Sequence, residues 1–383
     1  MGDDVKMKKV GIISRHAISN YGSFFQAYAL ERTVREMGYD SYTINYIRNK
    51  EKSVNLVKID IANSKWNKNF ITRLIFYAIN IPNRYIQYNR FSKFRKKELN
   101  LTKEINDSTS INKDLGFDIY CTGSDQVWNE TIENKLDYAY FFDNVDKNEK
   151  IISYAASFGK SVFDKKKLDV VKNKLKKYNY ISVREDAGVD ILKSMGYDAN
   201  QVLDPTLLLN GEIWRSVIGN SYKSCNKKYI LIYQVHKNNE LVDYAKELAK
   251  KNNFDVINIS VSFLNKKKDV KLEWLPSYKK VLWLFDNAQC IVTDSFHATA
   301  FSINFNKNFV TFLPKESTSR NKSVLKLFGL EERCITDKND FETPMKCIDY
   351  VSVNKILDKE RKKSYKWLED TLREVSSNED SKN

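Results

Sequence analysis

KVGIISRHAISNYGSFFQAYALERTVREMGYDSYTINY, residues Lys9 to Tyr46, is the stretch whose reading decides the fold. Lys9 to Ile13 is a short apolar run of strand length. SRHAISNYGS follows as a polar loop rich in Asn, Ser and Gly turn residues. Phe24 to Met37 keeps apolar residues at helical spacing and stops at Gly38, the residue best suited to the left-handed turn after a helix. Ser41 to Tyr46 returns as a strand. A strand, a helix and a second strand in this order form a βαβ unit, which requires a parallel sheet.

The same grammar recurs to both sides of one interruption. Phe117 to Thr122 reads as a strand ending in a Gly-containing turn, and Lys150 to Ala155 as another. A helical run at 164–178 leads to the strand Tyr180 to Arg184, a helix from Glu185 to Met195 closed by Gly196, and the segment Gln201 to Leu207. Residues 208–227 read as a linker. Beyond it, strands at Tyr229–Gln234, Val256–Ser260, Cys290–Thr293 and Asn308–Phe312 alternate with helices at Glu240–Lys251 and Tyr278–Asn287. At 383 residues the chain exceeds what one core ordinarily holds. The expected architecture is α/β, with two Rossmann-like domains facing each other across a cleft. The first is placed at 1–207 and the second at 228–340, followed by a helical segment at 341–374 and a disordered tail at 375–383.

Composition narrows the class. The five cysteines are scattered, with no CxxC pair, which points to reduced thiols in a cytoplasmic protein and away from a zinc site. The N-terminus runs straight into a strand without a secretory apolar core, and no apolar run reaches the roughly 18 residues that would span a bilayer. Net charge is +15, and residues 48–104 hold fourteen basic residues against four acidic ones. That segment interrupts the βαβ pattern and carries aromatic and apolar residues at helical spacing. A basic amphipathic insertion suits an anionic membrane surface. It also fits a helical insertion packed on its own domain; nucleic acid is the weakest reading.

The chemistry-bearing residues cluster at predicted strand ends, where ligands collect in open α/β sheets. CIVTDSFHATAF, Cys290 to Phe301, contains His297, one of only three histidines. An imidazole beside a helix N-terminus sits where anions bind and protons move; alternatively the segment is a capping turn, with Asp294 or Ser295 as the cap. Asn20 and Gly22 stand between the first strand and its helix, where glycine lets backbone approach a ligand. Asp125 lies just past a strand and suits a base, or else caps the next turn. Trp128 offers either a sugar-stacking face or core. Arg184 follows a strand and is a fork for carboxylate or phosphate, or the partner of Glu185 and Asp186. Arg320 opens a predicted helix, where a cation gains nothing from the dipole.

Taken in order, KVGIISRHAISNYGSFFQAYALERTVREMGYD, FDIYCTGSDQVWN, ISYAASFG, YISVREDAGVDILKSMGYDANQVLDPTLLL and IVTDSFHATAFSINFNKNFVTF resemble the polysaccharide pyruvyl transferase family over roughly residues 9–330, the basic insertion excepted. The resemblance implies a GT-B-like fold. It implies an enzyme that moves the pyruvyl unit of phosphoenolpyruvate onto two hydroxyls of a lipid-linked or oligosaccharide sugar precursor, as a ketal, in capsule or exopolysaccharide synthesis. It places the family's histidine at His297 and its strand-end arginine at Arg184; the transfer itself needs a general acid, a role suited to His297, and a base, for which Asp125 is the candidate. It implies phosphoenolpyruvate as co-substrate and no bound cofactor; the need for a divalent cation stays open. The chain departs from the family where Ser295-Phe296-His297 replaces Arg-Leu-His, and Arg320 or Arg15 is the substitute for that missing anion-binding arginine. Two other readings stand beside this one: a GT-B glycosyltransferase using a nucleotide sugar, and a non-catalytic membrane-associated assembly protein.

Overall fold

β1 (Lys9–Ile13) and β2 (Asp40–Thr43) pair in parallel on either side of α1 (Tyr21–Glu36), as the opening stretch requires. This computed structural model describes residues 7–62, 64–131, 134–222, 227–313 and 318–377. α1 begins earlier than its apolar spacing suggested, because the Asn20 side chain accepts from Ser23 N and caps the helix there. α2 (Ser53–Ala62) and α3 (Phe70–Glu98) form the basic insertion.

β3 (Ile119–Thr122), β4 (Ile151–Ala156), β5 (Tyr180–Val183) and β6 (Asn200–Gln201) complete the first sheet, with α4 (Lys165–Leu175) and α5 (Asp186–Ser194) as crossovers. Its order is β2-β1-β3-β4-β5-β6, and every pairing is parallel. The strand order therefore reverses between β1 and β3.

The expected linker is largely helical. Asp204 caps α6 (Pro205–Leu208), Pro205 takes the first helical position, and α7 (Gly211–Ile218) buries Trp214 completely. The second sheet contains β7 (Tyr229–Tyr233), β8 (Asp255–Ser260), β9 (Lys271–Trp274), β10 (Cys290–Thr293) and β11 (Asn308–Thr311), separated by α8 (Asn239–Asn252), α9 (Tyr278–Asn287) and α10 (Phe296–Asn304). Its order is β11-β10-β7-β8-β9, again parallel, and it reverses between β7 and β10. β9 was not expected: KLEW is a four-residue edge strand, half of it charged, whose two apolar residues are too few to stand out as a run.

α11 (Thr318–Phe328) follows β11, and α12 (Tyr350–Ser377) then crosses back to the first domain. There Leu368, Leu372 and Val375 join a core with Val10, Ile12, Leu30 and Val34. Helix thus replaces the expected disorder at 375–377, because Val375 is buried; residues 378–383 lie outside the described residues. The two domains share apolar surface through α1, whose Phe25 meets Phe301 at 5.0 Å and Trp214 at 5.5 Å. Cys121, Cys290, Cys334 and Cys347 are free thiols, and Cys225 lies outside the described residues.

Candidate active site where both sheets reverse order

The carboxyl ends of β1, β3, β7 and β10 open into one cavity of about 220 Å³. These are the strands at which each sheet reverses order, so two switch points of the kind that hold ligands face one another. Arg15 and Asn20 come from the loop after β1, Asp125 and Gln126 from the turn after β3, and His236 from the end of β7. Ser295 and His297 come from the start of α10, and Arg320 from α11. Two helices point their N-termini at the space, α1 capped by Asn20 and α10 capped by Ser295, which favours an anion.

Six acids and bases sit close together at this opening and beneath it. Arg184 donates to Asp204 Oδ2 at 2.6 Å, and its remaining nitrogens stand 3.8 Å from both Asp125 and Glu185. Asp204 also accepts from Ser124, and from the Thr206 hydroxyl and backbone amide. Asp125 accepts from Ser23 Oγ at 2.7 Å and from Gln126 N at 2.9 Å, while Arg320 Nη1 lies 3.9 Å away. His297 Nε2 is 3.8 Å from Asp204 Oδ2, buried, and without a hydrogen-bond partner among the described residues. A buried polar atom left unpaired in this way asks for a reacting partner.

The electrostatics follow from this packing. Burial alone would raise the Asp125 carboxyl, but His297, Arg184 and Arg320 outweigh it and hold it well below the usual carboxylate range. Burial opposes ionisation of Asp204 too, and Arg184 and His297 reverse that effect. For His297, burial dominates and lowers its pKa despite Asp204 and Asp125, so the ring is neutral at pH 7. Burial first, then the like charge of Arg184, pushes Arg320 down to about 10 against the pull of Asp125, Glu185 and Asp204, which leaves it cationic.

The expected residues divide by place. Arg15, Asn20, Asp125, Ser295, His297 and Arg320 converge on the cavity. Arg184 does not line it: this arginine is committed to Asp204 and stacks over Phe296 at 4.3 Å, so it is not an open anion fork. Gly22 makes room for a side chain rather than a ligand, since a Cβ there would lie 2.2 Å from His297 Nδ1. Ser295 is the cap of α10, accepting from Ala298 N. Trp128 is fully buried against Phe141 and Phe158 and is core.

Asp204 and His236 went unnamed as site residues from sequence, and Asp294 was named only as a capping residue. Asp204 carries a legible signal, an acid before Pro at a helix start, yet nothing local reveals its pairing with Arg184. Asp294 is nearly buried and accepts from Val235 N, His236 N and His236 Nδ1 at 2.7, 3.0 and 3.2 Å, which sets the second imidazole at the cavity rim. Asp125 itself adopts a left-handed backbone, with φ of 76°; such strained conformations gather at functional sites.

No curated protein matches the chain in sequence. In structure it is similar to the UDP-GlcNAc 2-epimerase from Neisseria meningitidis solved bound to UDP-GlcNAc, with a TM-score of 0.51, 11% identity, and coverage of 96% of this chain and 100% of that one. It is also similar to S. aureus MnaA solved with UDP, with a TM-score of 0.51, 12% identity, and coverage of 93% and 89%. At such identities the likeness concerns the fold alone, the GT-B-like pair of Rossmann-like domains. The model of the family described as polysaccharide pyruvyl transferase matches residues 20–316, from the cap of α1 past the end of β11. A match over most of the chain, taking in the helix starts at Asn20 and at His297, makes this protein a member of the polysaccharide pyruvyl transferase family.

Proposed function

We propose that the protein transfers the pyruvyl unit of phosphoenolpyruvate to two hydroxyls of a sugar on a lipid-linked or oligosaccharide precursor, forming a cyclic ketal and releasing phosphate. The observation that carries this reading is the shared cavity: two arginines, Arg15 and Arg320, two helix N-termini and a neutral imidazole whose Nε2 has no hydrogen-bond partner among the described residues. Phosphoenolpyruvate brings two anionic groups, a carboxylate and a phosphate, and Arg320 is a buried cation at the cavity whose nearest carboxylate, Asp125, stands 3.9 Å away. His297, being neutral, takes the proton of the first sugar hydroxyl and returns it to the methylene carbon, which becomes a methyl as the new C–O bond forms. The second hydroxyl then attacks the same carbon while the C–O–phosphate bond breaks, and its proton leaves with phosphate. Both hydroxyl protons are thereby accounted for, and no oxidant or water is consumed. Asp125, ionised and weakly basic, orients the acceptor and balances Arg320 rather than removing the proton.

The test is transfer to an oligosaccharide carrying a free diol. Phosphate release in step with a new ketal methyl signal supports the reading, and His297→Asn is expected to lower the rate about 10²- to 10⁴-fold. Release of a nucleoside diphosphate from a nucleotide sugar, with phosphoenolpyruvate left intact, would replace it with glycosyl transfer.

A further inference from the structure

α3 runs for 29 residues, about 43 Å at ~1.5 Å per residue. Its buried residues, Asn83, Gln87, Phe91, Phe94 and Arg95, begin only at its middle. In the first half Phe70, Ile71, Leu74 and Ile75 are 74, 68, 51 and 44% exposed. At about 100° per residue, Tyr85 and Ile86 fall on the same arc, and they are 58 and 43% exposed. An apolar stripe of this length on a projecting helix is not how a folded chain ordinarily meets water.

Charge selects what covers it. From Ile61 to Lys97 the sequence has no Asp or Glu and nine Lys or Arg. A second copy of the same hairpin would bring like charge against like charge. Nucleic acid would meet the cations but has no use for exposed Ile71, Leu74 and Ile75. Among the described residues no helix is long and apolar enough to cross a membrane, so contact with lipid would be made from the surface. We infer that the α2–α3 hairpin docks on an anionic lipid bilayer, with Phe70, Ile71, Leu74 and Ile75 entering the acyl boundary and Lys65, Lys68 and Arg73 meeting lipid phosphates. The same helix packs its far end on α1, where Tyr21 meets Phe91 at 4.9 Å, next to the Asn20 cap that lines the cavity. Docking would therefore hold the cavity near the bilayer, whatever its donor.

Co-sedimentation of the full chain with vesicles tests this. Binding to 70:30 phosphatidylcholine:phosphatidylglycerol vesicles is expected at low salt, with weak binding to phosphatidylcholine alone. Two variants confined to exposed side chains, Phe70→Ser with Leu74→Ser and Lys65→Gln with Lys68→Gln and Arg73→Gln, should melt like the parent. The charge variant should lower partition on the order of 100-fold, and the apolar variant should lose binding as well. A parent chain that stays in the supernatant with both vesicle types overturns the inference, as does equal binding to both lipids. So does a dimer in solution that the Phe70 and Leu74 changes dissociate, or variants that bind vesicles like the parent.

Discussion

Gly22 and His297 fix each other's positions. The imidazole lies against the bare α-carbon, and a methyl at residue 22 would sit 2.2 Å from Nδ1. Gly22→Ala must push the ring out of place, at about 1–3 kcal/mol of stability. A catalytic group displaced by roughly 1 Å loses about 100-fold in rate, so turnover should fall far more than melting temperature; an unchanged kcat would remove His297 from the chemistry. His16 gives a prediction of another kind. Burial, helped by Arg95, lowers this imidazole from 6.5 to about 4, with Nδ1 3.1 Å from Ser14 O and Nε2 3.3 Å from the Asn45 side-chain amide; the neutral ring donates through one of the two. As pH falls from 6.5 towards 4, the unfolded chain takes up a proton that the folded chain refuses. Stability present above pH 6.5 is therefore lost across that window, by about 3 kcal/mol. Denaturant titrations from pH 7 to 4 should show a shallower loss in His16→Gln than in the parent, and parallel losses would refute it. Single residues were partly legible in sequence. His297, Asp125 and Arg320 stood out by type and by their places at strand or helix ends. Arg184 misled because its partner, Asp204, lies twenty positions away and meets it only in the folded sheet.

At the scale of elements, periodicity located strands and helices well wherever one face is apolar. α9 matches its expected bounds, Tyr278 to Asn287. The failures have physical causes. β9 is a short, half-charged edge strand, α7 hides in a stretch read as linker, and α1 starts at a cap rather than at its first apolar residue. α12 carries the most consequential packing that sequence did not locate. Its amphipathic pattern was plain, but the surface it covers belongs to the first domain, more than 300 residues earlier. Arg361 anchors the crossing by donating to Leu207 O at 2.8 Å and to Asn304 Oδ1 at 3.2 Å. Leu372→Ala, at a fully buried position, should cost about 2–5 kcal/mol in urea denaturation. A loss below about 0.5 kcal/mol would mean that α12 does not pack on the first sheet in solution.

Across the whole molecule, two parallel sheets present their order reversals to each other, and the cavity between them gathers residues from both. The +15 charge serves two surfaces in this account, the anion-binding arginines at the cavity and the basic hairpin beside it. Asp204, Asp125 and Glu185 neutralise Arg184, which leaves Arg320 and Arg15 to receive the donor; Arg15 already meets Glu51 at 3.3 Å. The proposed reaction thus requires a donor with two anionic groups on Arg320 beside a neutral His297. Calorimetric titration of phosphoenolpyruvate into the parent chain, Arg320→Gln and His297→Asn tests it most directly. Saturable binding in the parent, retained in His297→Asn and lowered at least tenfold in Arg320→Gln, is the predicted result. No saturable binding at millimolar donor, or an affinity indifferent to Arg320, would contradict it.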